Sequence, residues 1–166
     1  ESQGVILMSL HEAVVQHADH VQKHLATNAV PAEDGKFAAL NAALWADGIF
    51  LYVPRGVSLD LPVRVTRWIS ESGAALFSRV LIVAEAQSQV SYVDEVVSDD
   101  FDAQTFTSTA VEVIAEQASR VQYVAVQRLG RGAFYQSVQR TLAQRDAKLD
   151  TLNVALGASV TRVDLN

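Results

Sequence analysis

The feature that most constrains the fold of this chain is an internal repeat. Residues 80–93 recur at residues 111–124, an offset of 31 residues, and a fainter third copy follows at an offset of 28, in which residues 146–149 match residues 118–121. The residues of the first copy that find an identical partner in the second are Val80, Ala84, Glu85, Ser88, Val90, Tyr92 and Val93. A constant period of this size is typical of solenoids, propellers and other arrays.

Each copy consists of an apolar strand, a small polar corner of the form Glu-x-x-Ser, and a second strand. One solenoid coil of short strands and tight corners fits this period, because each strand can stack on the equivalent strand of the next coil. An antiparallel β-sandwich is the alternative on pattern alone, since its strands also recur at short intervals. The constant offset favours the solenoid.

The rest of the chain divides into a helical N-terminal segment and a strand-rich remainder. Ser9 followed by Glu12 is a capping-box pattern and predicts a helix over residues 9–26; a loop follows over 27–35 and a second helix over 36–46. Strands are predicted over residues 49–53, 63–69, 78–84, 89–97, 108–115, 120–129, 133–142, 148–156 and 160–165. No helical stretch separates these strands, which argues against a βαβ architecture. We therefore expect two parts, a helical segment with a cap over residues 1–46 and a solenoid over 47–166.

The junction between the two parts lies at Asp47-Gly48, where a polar residue and a glycine can end a helix and turn the chain. We expect the preceding helix to cover the end of the solenoid, because an uncapped end exposes apolar side chains and unpaired strand edges. Pro54 and Gly56 then predict the first corner.

Composition excludes several classes of function. The chain has no cysteine, so it can supply neither a thiolate nucleophile nor a thiolate ligand. Its net charge of −6 makes nucleic acid an unfavourable partner. No apolar run reaches the roughly 20 residues of a membrane helix, and no secretory signal is visible.

Several polar clusters invite a chemical interpretation, but none matches a known motif. His11, His17, His20 and His24 lie in the first predicted helix, and three of them share one face, yet H-E-x-x-H is absent. We interpret them as the polar face of an amphipathic helix, with a metal site as the less favoured alternative. Gly130-Arg131-Gly132 predicts a turn between strands, and the acidic run 98–102 predicts a solvated corner.

Five carboxylates lie on or beside predicted strands: Glu85, Asp94, Glu95, Glu112 and Glu116. Paired acids on a β-helix are what a polysaccharide-cleaving enzyme requires. Their spacing selects no pair, and aromatic residues, at 7%, are sparse for a sugar-binding groove. These features of the residues favour a scaffold over an enzyme.

A series of motifs resembles the SufB/SufD family of iron–sulfur cluster assembly scaffolds. Residues 37–43 read F-A-A-L-N-A-A, and residues 47–57 read D-G-I-F-L-Y-V-P-R-G-V, with Pro62 following. Further similar segments are F-S-R-V-L-I-V at 77–83, V-S-Y at 90–92, V-A-V-Q at 124–127 and A-S-V-T-R-V-D-L at 158–165. The resemblance covers essentially the whole chain.

This resemblance implies a right-handed parallel β-helix preceded by short α-helices, in agreement with the repeat. It also implies a non-catalytic role, in the cytoplasm, within a complex of SufB, SufD and the ABC-type ATPase SufC. That family complex builds a transient iron–sulfur cluster from sulfur delivered by a cysteine desulfurase, and flavin binding is a further family property. No catalytic or metal residue is assigned to this chain, and it is expected to bind no cofactor by itself.

Within the family the sequence is most like SufD. The resemblance places Val96 where SufB carries its sulfur-accepting cysteine, Ser78 in place of a glutamate, and Gln139 nearest to an interior lysine. Arg79 and Gln127 match family residues that line the β-helix interior, and we expect both there. A divergent SufB is the alternative, and a carbohydrate-active β-helix enzyme is a weaker one.

The family's C-terminal part has no counterpart here, since the chain ends at Asn166. We therefore expect a SufD-like fragment that alone binds neither SufC nor a cluster, and that self-associates through its solenoid ends.

Overall fold

A computed structural model describes residues 3–26 and 29–166 of the chain. Three short helices occur in its N-terminal part: α1 (Leu10–Gln16), α2 (Ala18–Gln22) and α3 (Lys36–Leu44). The strands are β1 (Ile6–Ser9), β2 (Asp47–Val53), β3 (Val63–Ile69), β4 (Ala75–Ala84), β5 (Gln89–Ser98), β6 (Thr105–Ala115), β7 (Arg120–Arg128), β8 (Ala133–Ala143), β9 (Lys148–Ala155) and β10 (Val160–Leu165). All nine predicted strands are present, with ends shifted by a few residues.

The strands form two sheets through which the chain winds alternately. We call the sheet with order β1-β2-β4-β6-β8-β10 sheet A and the sheet with order β3-β5-β7-β9 sheet B. Every strand after β3 pairs in parallel with the strand two places earlier along the chain, which lies in the same sheet. This is a parallel β-helix, as predicted, and it excludes the antiparallel sandwich.

The register of the strands explains the sequence repeat. Val80 pairs with Val111 and Tyr92 with Tyr123, so the offset of 31 residues is the length of one coil. In the third copy Leu149 pairs with Val121. Sequence identity between the copies therefore reflects stacking, because equivalent residues occupy the same position in successive coils.

The polar corners of successive coils have the same conformation. The hydroxyl groups of Ser88 and Ser119 donate to the carbonyl oxygens of Glu85 and Glu116, at 2.6 and 2.7 Å. The residue before each serine has a positive φ, 63° at Gln87 and 57° at Ala118. The Glu-x-x-Ser pattern thus encodes a tight turn closed by the serine hydroxyl.

Alternate side chains of both sheets fill the interior of the β-helix. This core comprises Leu51, Val53, Val80, Ile82, Ala84, Val90, Tyr92, Val111, Val113, Ala115, Val121 and Tyr123. The rings of Tyr92 and Tyr123 stack with centroids 5.9 Å apart. Stacking of like residues across coils gives each apolar column continuous contact.

The N-terminal segment covers the outer face of sheet A. Leu10, Ala13 and Val21 from the first two helices pack on Phe50 and other outward side chains of the sheet. The third helix, α3, lies against β4, β6 and β8. It therefore covers a face of the solenoid, whereas we expected it across the end.

The first edge of sheet A is covered instead by β1, which pairs antiparallel with β2. The single helix predicted over residues 9–26 is wrong in extent, because two short helices replace it and meet at His17, whose φ is −132°. The apolar residues just before Ser9 instead form β1, whose partner edge on β2 comes from a distant part of the sequence. Residues 27 and 28 of the predicted loop lie outside the described residues.

The Asp47-Gly48 junction is the start of β2 and not a free turn. The Asp47 carboxylate accepts hydrogen bonds from the amides of Gly48 and His11 and from the Ser9 hydroxyl, at 2.7, 3.1 and 2.9 Å. A Cβ atom on Gly48 would overlap the backbone of Arg79, so glycine is required by the close approach of two coils.

Candidate functional site

A polar cluster interrupts the apolar interior of the β-helix. Arg67 of β3 and Asp94 of β5 point inward and form a bidentate ion pair, with Nη2 2.7 Å from Oδ2 and Nε 3.2 Å from Oδ1. The Arg67 Nη1 atom donates to the hydroxyls of Ser78 and Thr109, at 2.6 and 3.3 Å. The guanidinium therefore links side chains from three successive coils.

Asp94 is held from a second direction by Tyr123, whose hydroxyl donates to Oδ2 at 3.0 Å. Burial raises the pKa of the Tyr123 hydroxyl well above its usual value, and the Asp94 charge adds to that effect. Burial alone would lower the pKa of Arg67, but the charge of Asp94 and the nearby tyrosines together outweigh it, and the net shift is upward. Asp94 therefore serves as a paired structural carboxylate and has no free lone pair suited to general-base chemistry.

The Arg79 side chain lies on the outer face of sheet A, opposite to the interior position that the family resemblance implies. It is fully buried beneath the N-terminal segment, and its Nη2 donates to the Val30 carbonyl at 3.0 Å and to Glu112 Oε2 at 3.1 Å. Its Nε and Nη1 atoms have no protein partner among the described residues. Neighbouring Val80 points the other way, into the core.

The Glu112 carboxylate also binds backbone of the N-terminal segment. It accepts hydrogen bonds from the amides of Ala26 and Val30, at 3.0 and 3.2 Å. Burial raises the pKa of Glu112, against the lowering effects of Arg79 and of these amides. The ion pair is therefore an anchor between the β-helix and the segment that covers it.

Gln127 lies in the interior at the last complete coil, and all of its polar atoms are used. Its Nε2 donates to the Gly157 carbonyl at 3.0 Å and to the Thr161 hydroxyl at 3.1 Å. Its Oε1 accepts from the amides of Gly157 and Leu129, at 3.0 and 3.4 Å. Gln127 thus holds the turn between β9 and β10, and Arg79 lies elsewhere, so the two candidates do not form one site.

The three positions that distinguish this chain from SufB by resemblance also point inward. Val96 is 3% exposed and packs in an apolar group with Ile69 and Tyr135. Ser78 belongs to the Arg67 cluster, and Gln139 Oε1 accepts from Asn153 Nδ2 at 3.1 Å.

Sequence reasoning missed Arg67 as a member of this cluster. The signal was available, because Val63, Val65, Arg67 and Ile69 share one phase of the strand and only one of them is charged. A charged residue in the inward phase of a buried strand indicates a buried partner.

Arginine side chains hold three of the five carboxylates that lie on or beside the predicted strands. Asp94 and Glu112 face Arg67 and Arg79, and Glu95 is bound by two arginines of sheet B. The remaining two, Glu85 and Glu116, lie at corners, where Glu85 accepts from the Arg55 amide at 3.0 Å. Three of the five are thus neutralised by ion pairs.

Two further polar groups singled out in the sequence, the histidines and the acidic run 98–102, make contacts of a structural kind. The His20 ring lies 4.4 Å from the Tyr52 ring, and within residues 3–26 and 29–166 no group of three or more His, Cys, Asp or Glu side chains is placed to hold a metal ion. Asp100 binds the amide and side chain of Arg131, at 2.7 and 3.1 Å. Gly130 and Gly132 form the β7–β8 turn, as predicted.

Comparison with known proteins identifies the family. Residues 67–166 match the family described as "SUF system FeS cluster assembly, SufBD core domain", and residues 1–65 match the "SufBD protein N-terminal region". The chain belongs to the SufBD family. The core match covers more than half of the chain and coincides with most of the β-helix.

Curated SufBD relatives resemble almost the entire chain. The iron-sulfur cluster assembly protein SufB of Bacillus subtilis is 27% identical over 161 residues, which is 97% of this chain and 34% of that protein. SufBD family proteins of Staphylococcus aureus and Staphylococcus epidermidis are 29% identical with the same coverage. The chain thus spans about a third of the length of these relatives.

This chain offers an iron–sulfur cluster no thiolate ligand. The chain has no cysteine, and the described carboxylates and histidines do not assemble into a metal-holding group. No described helix is both long and apolar enough to cross a membrane.

Proposed function

We propose that this chain belongs to a SufD-like scaffold subunit, which completes an iron–sulfur assembly complex without accepting sulfur itself. The observation that carries the proposal is Val96, an inward-facing, buried residue at the position where the resemblance puts the sulfur-accepting cysteine of SufB. A valine side chain cannot carry a persulfide.

The proposal includes a cytoplasmic protein that is not an enzyme and that acts beside SufB-like and SufC-like subunits. The pairing of Asp94, Glu95 and Glu112 with arginines supports a scaffold over a polysaccharide-cleaving enzyme. In this proposal Arg79 anchors the N-terminal segment and Gln127 fixes the last coil, so both act on the shape of the scaffold. The cluster itself, and any flavin, would be bound by other parts of the assembly.

A divergent SufB is the second candidate, favoured by the 27% identity to the Bacillus subtilis SufB. The two candidates differ in sulfur acceptance. Incubating the full-length protein with a cysteine desulfurase and ³⁵S-cysteine should leave it unlabelled, whereas a SufB control should be labelled.

Two variants make the sulfur experiment specific. Val96→Cys places a thiol in the interior, and Val93→Cys places one on the outer face of the same strand. Reductant-sensitive labelling of the unmodified full-length protein would overturn the SufD-like proposal. Labelling of Val96→Cys above Val93→Cys would support the equivalence of this position with the SufB cysteine.

Partner binding tests the scaffold role independently. The full-length protein, co-expressed with tagged SufB and SufC from the same organism, should co-purify with both. Absence of SufB from the purified material would contradict a SufD-like subunit. The chain of 166 residues alone should not bind SufC.

A further inference from the structure

The two faces of the β-helix are covered differently. The helices contact sheet A, with α1 on β2 and β4 and α3 on β4, β6 and β8, and no helix within residues 3–26 and 29–166 packs substantially on sheet B. The outward side chains of β3, β5, β7 and β9, which we call the sheet B face, are therefore not covered by a described helix. A sheet face that is exposed to water normally carries polar side chains.

The sheet B face is instead partly apolar. Trp68 of β3 is 62% exposed and Leu152 of β9 is 56% exposed. Val97 is paired in register with Trp68 and Val124 with Leu152, and Val126 lies between these two positions on β7. Exposed apolar side chains that are contiguous on one face mark interaction sites more often than isolated ones do.

The charge of the sheet B face is opposite to that of the chain. Its outward strand residues include four basic side chains and two acidic ones, which are Arg64, Arg120, Arg128, Lys148, Glu95 and Asp150. The net charge of this face is therefore +2, within a chain whose net charge is −6. A basic field on one face of an acidic protein steers acidic partners to that face.

The arginines of this face are held in place but remain accessible. Arg64 and Arg128 both bind the Glu95 carboxylate at 2.6 Å, and their side chains are 64% and 54% exposed. Arg120 and Lys148 are adjacent in register and both exposed. Tryptophan and arginine are the residues that most often dominate binding energy in protein interfaces.

We propose that the sheet B face docks an acidic, partly apolar segment of another polypeptide. The carboxylates of that segment face Arg120 and Lys148, and its apolar side chains contact Trp68 and Leu152. Nucleic acid fits less well, because four basic side chains are a small footprint and the remainder of the chain repels a long polyanion. This inference stands on the face itself and does not rest on the SufD-like assignment.

The test uses the random copolymer poly(Glu,Tyr) as a probe that combines carboxylates with apolar rings. Its binding to the chain is measured at 50 and 200 mM salt, beside a DNA duplex and vesicles of phosphatidylcholine with phosphatidylglycerol. Binding of the copolymer should be the tightest of the three and should weaken with salt.

Two double variants with the same change of charge locate the site. Arg120→Glu/Lys148→Glu should weaken copolymer binding about tenfold, while Arg55→Glu/Lys36→Glu, outside the face, should leave it near that of the unmodified chain. Trp68→Ala should weaken binding of the copolymer at both salt concentrations, because salt does not screen the apolar contact of the indole ring. The milder Arg120→Ala/Lys148→Ala serves if the charge reversal impairs folding, which circular dichroism checks.

Three outcomes would overturn the proposal. They are an absence of copolymer binding, an equal loss in the two double variants, and binding of DNA or vesicles at least as tight as that of the copolymer.

Discussion

Arg79 and Glu112 form an ion pair in which neither side chain is exposed, with Arg79 Nη2 3.1 Å from Glu112 Oε2. Arg79 lies on β4 and Glu112 on the next strand of sheet A, and both also bind the backbone at Val30. The pair therefore joins two coils to the segment that covers them.

Breaking this pair from one side should destabilise the protein strongly. Glu112→Gln leaves a buried, uncompensated guanidinium and should lower the free energy of unfolding by about 3 kcal/mol, measured by urea denaturation. Arg79→Met/Glu112→Gln should be more stable than Glu112→Gln, because the amide oxygen still accepts from Ala26 and Val30 and no charge is left unpaired. A double variant that loses the sum of the two single losses would contradict this account.

Gln127 should control the stability of the β9–β10 turn. Gln127→Leu keeps the approximate volume but removes the partners of Gly157 and Thr161, at a cost of about 2 kcal/mol. Hydrogen exchange should accelerate at the Gly157 amide more than at amides of β4. Uniform acceleration throughout the β-helix would instead indicate global destabilisation.

Replacing Ala118, the corner residue with positive φ between β6 and β7, by glycine should stabilise the protein. Ala118 has φ of 57°, which costs an L-residue about 1 kcal/mol or more, so Ala118→Gly should stabilise the protein by up to about that amount. Ala115→Gly, in the adjacent buried strand end, should destabilise it by a similar amount. Thermal unfolding of the two variants checks the opposite signs, and equal losses would exclude corner strain.

Glu95 should contribute to the acid sensitivity of the protein. Hydrogen bonds from Arg64 and Arg128 lower the pKa of Glu95 from 4.5 to about 2. Since its folded pKa lies below the unfolded value, its stabilising contribution is complete above about pH 4.5 and is lost as the pH falls toward 2. Glu95→Gln should therefore show a shallower loss of stability between these pH values in urea titrations. A slope equal to that of the unmodified chain would refute the assignment.

Much of the β-helix could be predicted from one-dimensional features of the sequence. The offset of 31 residues between Val80 and Val111 became the length of a coil, and the Glu85-to-Ser88 pattern became its corner. Such features are visible because stacked coils impose the same local requirements at each repeat.

The ends and the covering segment could not be predicted in the same way. The strand at Ile6–Ser9 pairs with the edge that β2 offers. The helix α3 is bound to a face of sheet A through Asn41, whose side-chain amide donates to the carbonyl oxygens of Ser78 and Ser108. Both placements depend on surfaces formed by distant parts of the chain. Short amphipathic segments carry no local sign of which surface they meet.

The sequence by itself determined the solenoid, its period, the turn at Gly130 and the family motifs, since each is written in residues close together along the chain. Tertiary structure decided which arginine faces which carboxylate, placing Arg67 with Asp94 inside the β-helix and Arg79 with Glu112 outside it. The physical reason is that side chains alternate between the two faces of a strand. When both faces are covered, the sequence does not show which set of alternate residues points into the β-helix. In sheet A the N-terminal segment buries the outer face at Arg79 and Glu112, so buried residues occur in both phases of β4 and β6.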